Sequence, residues 1–321
     1  MQNYSVIQKL LHDLVLGQKF INKSLFELEK IFFLKNQNIN NNNHIFISGL
    51  PRSGTTSLLN FIYSSNDYAS IKYLNIPFVL SPNLSKLFNK KNFKSKKRLH
   101  SDKIMFDLNS PEAFDEVFLD NNEIFIKNEF INYLNLILLS EKKDKYLSKN
   151  NHNYKRIELI RSMLPNSIFL IPIREPLQHA YSLLSQHLHF IKLQKKNDFI
   201  RRYMNYLGHN EFGLNHKAWN KPINYHDLNN INYWIEQWLL FYQNIINNYQ
   251  SYKNCFFVVY EELSNPSYLK SLLKNINLSN EDNVDLSFFT NSNQKKINVK
   301  YDVKTYNDAI TIYKNFLNFK N

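Results

Sequence analysis

One stretch constrains this chain more than any other: His44-Ile45-Phe46-Ile47-Ser48-Gly49-Leu50-Pro51-Arg52-Ser53-Gly54-Thr55-Thr56-Ser57. Its apolar opening reads as a buried strand, and a helix begins near Thr55 after a glycine-bounded turn rich in hydroxyls. Gly49 and Gly54 stand at the spacing of a phosphate-cradling loop, G-x-x-x-x-G, but Thr55 follows where a nucleotide triphosphatase carries lysine. In those enzymes the lysine reaches the β- and γ-phosphates and the next Ser/Thr holds magnesium. Here the cation sits inside the loop as Arg52, and two threonines open the helix. Backbone N–H groups, hydroxyls and the positive end of a helix dipole still suit an anion. The equipment for a metal-bound triphosphate is missing.

A second segment has the same construction. Ser167-Ile168-Phe169-Leu170-Ile171-Pro172-Ile173-Arg174-Glu175-Pro176 reads as a strand ending in arginine, and the helix after it carries Ser182. Further strands are expected at 69–73, 144–149 and 255–260, and helices at 55–63, 129–139, 153–163, 177–193, 228–249, 266–275 and 303–319. Ser110-Pro111-Glu112 combines a capping serine, a first-turn proline and an acid, which predicts a helix over 111–118. Strands alternating with helices predict an α/β fold whose parallel sheet is covered on both faces. Residues 4–35 read as two helices broken near Gly17. Val6, Leu10 and Leu14, then Phe20, Leu25, Leu28, Ile31 and Phe32, recur at helical spacing and are expected to pack on the core, with an oligomer contact as the alternative. Neither a repeat nor a linker is evident, so one domain is expected: a helical extension (1–43), a core (44–265) and a C-terminal helical segment (266–321).

The 321 residues, 43% hydrophobic, can bury a large core. The charge of +13 admits nucleic acid, an anionic membrane or acidic substrates as partners. Lysine is spread along the chain, apart from Lys90, Lys91, Lys94, Lys96, Lys97 and Arg98, which read as a solvated loop or an anion-attracting rim. Arginine is scarce, and two arginines fall at the paired loop positions. No nucleic-acid module or repeated basic-aromatic pattern is present. The single cysteine, Cys255, lies in an apolar run and reads as core, so thiolate metal sites and intrachain disulfides are excluded. Without a signal pattern or an apolar run of the roughly 18–20 residues a membrane span needs, a cytoplasmic protein is expected.

Pro51-Arg52-Ser53-Gly54-Thr55-Thr56 resembles the 5′-phosphosulfate loop of sulfotransferases that use 3′-phosphoadenosine 5′-phosphosulfate (PAPS), and the strand ending in Arg174 with the helix bearing Ser182 resembles their 3′-phosphate segment. The resemblance spans roughly 44–265 in scattered blocks and implies a three-layer P-loop-type fold. It implies PAPS as sulfuryl donor, held by Arg52, Ser53, Gly54, Thr55, Thr56, Ser57, Arg174 and Ser182, with no metal. In that family a basic residue at the Arg52 position touches the 5′-phosphate and the leaving oxygen. Lys149 looks like the family's strand-end lysine that approaches the sulfuryl group, although Asn150 and Asn151 follow it where proline or histidine is common. His100, with Asp102 and Ser110-Pro111-Glu112-Ala113-Phe114, resembles an acceptor-side segment of a bacterial branch, which makes His100 the candidate base. Asp102, Glu112, His152, His209 and Glu211 are also chemically able. The glycine-rich C-terminal motif of the cytosolic aryl and steroid enzymes has no counterpart, which points to the bacterial and Golgi-like branch. The implied partners are the nucleotide donor and a hydroxyl acceptor, with a homo-oligomer open. The other readings are a small-molecule kinase with an altered phosphate loop, against which Thr55 argues, and a non-catalytic nucleotide-binding protein.

Overall fold

The computed structural model describes residues 4–34, 42–88, 96–97, 104–121, 127–279, 281–289 and 296–319. Helices α1 (Val6–Val15) and α2 (Lys19–Phe33) precede β1 (Ile45–Ile47), α3 (Thr55–Tyr63), β2 (Tyr68–Ala69) and α4 (Pro82–Ser85). A short antiparallel pair, β3 (Lys96–Lys97) and β4 (Met105–Phe106), leads to α5 (Glu116–Asn121), α6 (Lys127–Glu141) and β5 (Lys145–Lys149). Then come α7 (Ile157–Met163), β6 (Ile168–Ile173), α8 (Pro176–Lys196), α9 (Asp198–Tyr206), α10 (Ile231–Tyr249), β7 (Cys255–Val259), α11 (Pro266–Asn275) and α12 (Val303–Asn318).

Five strands form one sheet in the order β2-β5-β1-β6-β7, and all its pairings are parallel. Successive strand residues point to opposite faces, and both faces are buried, which is why the strands read as continuous apolar runs. Ile45, Ile47, Ile168, Leu170 and Val258 pack against α3 and α11 on one face. Phe46, Phe169, Ile171, Phe257 and Val259 face the thicker layer built by α6, α8, α10 and α12. The fold is therefore α/β with helices on both sides.

The chain leaves β1 toward β5 and β2 through α3, and leaves β6 the other way toward β7 through α8. Those two helices lie on opposite faces of the sheet. A crevice opens at the carboxyl ends of strands where the winding reverses in this manner, here between β1 and β6. Both arginine loops flank that crevice.

Three expectations differ from the structure. No helix begins at Ser110: its hydroxyl closes a turn with Asp107 (3.0 Å to the backbone N and to the carboxylate), and Pro111 bridges Lys72, so the helix starts at Glu116. The second strand stops at Ala69, because only Tyr68 and Ala69 find partners on β5. The N-terminal helices break near Gly17 as expected, yet Val6, Leu10, Leu14, Phe20, Leu28, Ile31 and Phe32 are exposed instead of packed on the core. Among the described residues no helix is long and apolar enough to cross a membrane.

Candidate functional site

The loop after β1 is held in a conformation that side chains resist. Arg52 has φ 72° and Gly54 φ 90°, the left-handed region that costs a β-carbon-bearing residue about 1 kcal/mol or more. Gly54 has a second reason to lack a side chain, since a β-carbon there would lie 2.7 Å from the Tyr260 ring. At Gly49 a β-carbon would come 2.9 Å from the Pro172 ring on the neighbouring strand. The Ser53 hydroxyl donates to the Leu50 carbonyl at 2.7 Å and pulls the turn shut. Thr55, Thr56 and Ser57 form the first turn of α3, where backbone N–H groups have no acceptor within the helix.

His179 fastens this loop to α8. Its Nε2 lies 2.8 Å from the Pro51 carbonyl, and a carbonyl only accepts, so Nε2 carries the proton. Burial drives the imidazole pKa down to about 3; the Pro51 bond opposes this, while the charges of Arg174 and Arg52 push the same way as burial. The ring is therefore a neutral donor at physiological pH.

The loop after β6 meets the first one directly. Arg174 Nη1 donates to the Arg52 carbonyl at 3.1 Å, and Arg52 Nε donates to Ser182 Oγ at 3.1 Å. The Arg174 guanidinium lies 4.5 Å over the centre of the Tyr260 ring, a cation–π contact that limits where it can point. Behind it the backbone is regular: Pro176 occupies the first turn of α8, and Glu175 caps the helix by accepting from Gln178 N at 2.7 Å. Glu175 also accepts from Tyr306 of α12 at 3.0 Å, while its own N–H donates to Glu261 at 2.9 Å. Glu261 in turn accepts from Tyr313 at 2.9 Å, and Trp238 Nε1 donates to the Arg174 carbonyl at 3.1 Å. The C-terminal helix thus braces the second loop from outside.

Lys149 ends β5, the strand beside β1. Its ammonium lies 3.4 Å from Glu112, whose carboxylate also accepts from Tyr73 OH at 3.2 Å and from the Ala113 N–H at 3.0 Å. Underneath, Asp115 accepts from Ser148 at 2.7 Å and Asn150 at 3.3 Å, and burial pushes its carboxyl up to about 6. Glu116 takes both terminal nitrogens of Arg156 at 2.8 Å each. On the same side, His209 Nε2 lies 2.6 Å from the Ala113 carbonyl, and Glu211 accepts from Asn151 at 2.8 Å. Among the described residues, no group of three or more His, Cys, Asp or Glu could hold a metal ion.

Arg52 therefore meets Arg174 and Ser182, 122 and 130 positions further along the chain, with Ser53, Gly54, Thr55, Thr56 and Ser57 on the adjoining turn. The Ser53 hydroxyl, expected to face a ligand, gives its proton to Leu50. His100 and Asp102 lie outside the described residues. Sequence reasoning missed His179, although it precedes Ser182 by three positions and so shares its helix face. It also missed Tyr260 and the carboxylates Glu175 and Glu261, for which no local pattern gave a signal.

Residues 44–267 match the model of the sulfotransferase family. Among solved structures, sulfotransferase STF1 from Mycobacterium tuberculosis H37Rv aligns over 98% of this chain and 87% of its own, with a TM-score of 0.53 and 10% identity. STF9 from Mycobacterium avium aligns over 94% and 75% (TM-score 0.45, 10% identity), and a sulfotransferase from Alicyclobacillus acidocaldarius over 86% and 96% (0.42, 11%). At these identities the first likeness is one of fold, and the other two add nothing to it. No curated protein matches.

Proposed function

This chain belongs to the sulfotransferase family, and on that premise we propose that it transfers the sulfuryl group of PAPS to a hydroxyl of a carbohydrate, lipid or small metabolite. The observation that carries the reading is the pair of bonds Arg174–Arg52 and Arg52–Ser182, which join the loop after β1 to the loop and helix after β6. A doubly phosphorylated adenosine needs two such loops at a fixed separation. The donor set fits it chemically: two guanidinium groups, the hydroxyls of Thr55, Thr56 and Ser57, and the N–H groups opening α3.

In this proposal Arg174 and Ser182 hold the 3′-phosphate. Arg52 and the turn from Ser53 to Ser57 hold the 5′-phosphosulfate, Ser53 and Gly54 acting through their backbone. As the acceptor oxygen bonds to sulfur, the bond from sulfur to the 5′-phosphate oxygen breaks and its electron pair stays on the phosphate. Arg52 stabilises the charge growing there, and Lys149 the sulfuryl oxygens, in the manner of other loose group transfers. The acceptor proton passes to His100. Glu112, already accepting from Lys149, Tyr73 and the Ala113 N–H, serves to orient the Lys149 ammonium. The 321 residues act as one domain, in the cytoplasm, and without a metal.

The test is thermal unfolding in a metal chelator. Adenosine 3′,5′-bisphosphate at about a hundred times its Kd should stabilise the protein by about 2.7 kcal/mol and raise Tm by a few degrees. The absence of any shift, with a shift instead from magnesium-ATP in buffer without the chelator, would replace this reading with the kinase one.

A further inference from the structure

Helices α1 and α2 turn only part of their apolar surface, Val15 and Phe26, to the interior. At 100° per residue, Val6, Leu10, Leu14, Ile7 and Leu11 of α1 occupy one arc of about 140°. That arc faces out, with Val6 82%, Ile7 78% and Leu10 65% exposed. The inward side mixes apolar and polar groups: Val15 is buried, His12 is buried against the rings of Phe199 and Tyr203, and Asp13 pairs with Arg202 at 3.1 Å. On α2, Phe20 and Ile31 are 82% and 74% exposed, and at 100° per residue Leu28 and Phe32 extend the same arc to about 120°. Its buried side carries Phe26, packed against Phe118 and Tyr133, together with Asn22 and Glu29, the latter accepting from the N–H groups of Asn83 (2.6 Å) and Leu84 (3.0 Å) at the start of α4.

Apolar surface gathered on two successive helices marks an interaction site in a soluble chain. Charge decides what fits it. The acids of α1 and α2 are engaged: Asp13 with Arg202, Glu29 in the interior, Glu27 with Lys30 at 2.9 Å. Lys23 and Lys19 stand exposed on the Phe20 side of the α2 arc, about 60° and 100° beyond its edge. A second copy would bring its own charge of +13 to the contact, whereas an anionic surface would neutralise it. We propose that α1 and α2 form a membrane-surface anchor, the apolar arcs entering the headgroup boundary of an anionic bilayer and Lys19 and Lys23 meeting its phosphates and carboxylates. Such an anchor would hold the enzyme next to acceptors displayed on, or dissolved in, a lipid surface.

The full chain is sedimented with vesicles of phosphatidylcholine alone and of phosphatidylcholine with about one-third phosphatidylserine, at low and high salt. Binding to the anionic vesicles that weakens with salt is expected, with little binding to the neutral ones. A variant carrying Ile7→Ser, Leu10→Ser, Phe20→Ser and Ile31→Ser, all at exposed positions, should keep its Tm and lose about a hundredfold or more in vesicle affinity. Lys19→Glu with Lys23→Glu should lose about thirtyfold or more. Undiminished binding by the serine variant, or equal binding to neutral vesicles, overturns the proposal. So does a wild-type dimer in light scattering that the same serines dissociate while vesicles are ignored, which assigns the face to a second copy. None of these outcomes depends on the identity of the nucleotide.

Discussion

The junctions β1–α3 and β6–α8 each end a central strand and each present an arginine to the same crevice, but they hold it by different means. The first relies on its own backbone: left-handed residues at Arg52 and Gly54 on either side of Ser53, tight approaches at Gly49 and Gly54, and a hydroxyl closing the loop on itself. The second has ordinary geometry, a proline-started helix with a carboxylate cap, and borrows its rigidity from Trp238, Glu261 and two tyrosines of α12. Strain stored in one loop and bracing supplied to the other should respond to substitution differently. A strained loop fails at single residues, while a braced one loses its supports one at a time.

The sharpest break is expected at Gly54. Gly54→Val adds a left-handed β-branched residue and a clash with Tyr260, costing about 3 kcal/mol or more, read as a large fall in Tm. Next comes the pH response of the contact joining the junctions. His179 is held neutral with its pKa near 3, below the ordinary 6.5, so its contribution is complete above about pH 6.5 and is lost as pH falls toward 3. Each pH unit lost in that window costs about 1.4 kcal/mol. His179→Gln keeps a donor for Pro51 and removes the titration, so its Tm should fall less steeply than that of the wild type between pH 7 and 5. Asp115, raised to about 6, has the opposite sign: its contribution is full below about pH 4 and disappears as pH rises through 6. The advantage of Asp115→Asn over the wild type should therefore grow between pH 5 and 7. Smaller still, Tyr306→Phe removes one support of Glu175 and should cost about 1 kcal/mol, with a severalfold weaker hold on adenosine 3′,5′-bisphosphate. Pro176→Ala, at a tolerant first-turn position, should change Tm by less than about 0.5 kcal/mol equivalent.

The sequence was most readable where structure is local. Strand runs such as Ile168–Ile173, buried on both faces, leave an unbroken apolar signature, and the glycine and arginine spacing of the β1 loop reports a backbone that nothing else would satisfy. Reading failed where a distant partner decides. The capping signals at Ser110 and Pro111 are genuine, but Asp107 and Lys72 take those residues first. The strand at 69–73 is cut short because β5 offers it only Lys145 and Tyr146. Tyr306 and Tyr313 sit in an unremarkable amphipathic helix, and their tie to Glu175 and Glu261 exists only in three dimensions. The N-terminal helices show a third limit: periodicity finds an apolar face without saying which way it points.

The central claim, that the β6–α8 junction grips the 3′-phosphate of a nucleotide whose 5′-phosphate lies on the β1–α3 junction, is tested most directly by calorimetric titration with two ligands and two proteins. Adenosine 3′,5′-bisphosphate and adenosine 5′-monophosphate are titrated into the wild type and Arg174→Ala without magnesium. The wild type should prefer the bisphosphate by about 10- to 100-fold, as one charge-assisted contact implies, and Arg174→Ala should erase that preference while leaving monophosphate binding in place. A preference that survives intact in Arg174→Ala would contradict the account.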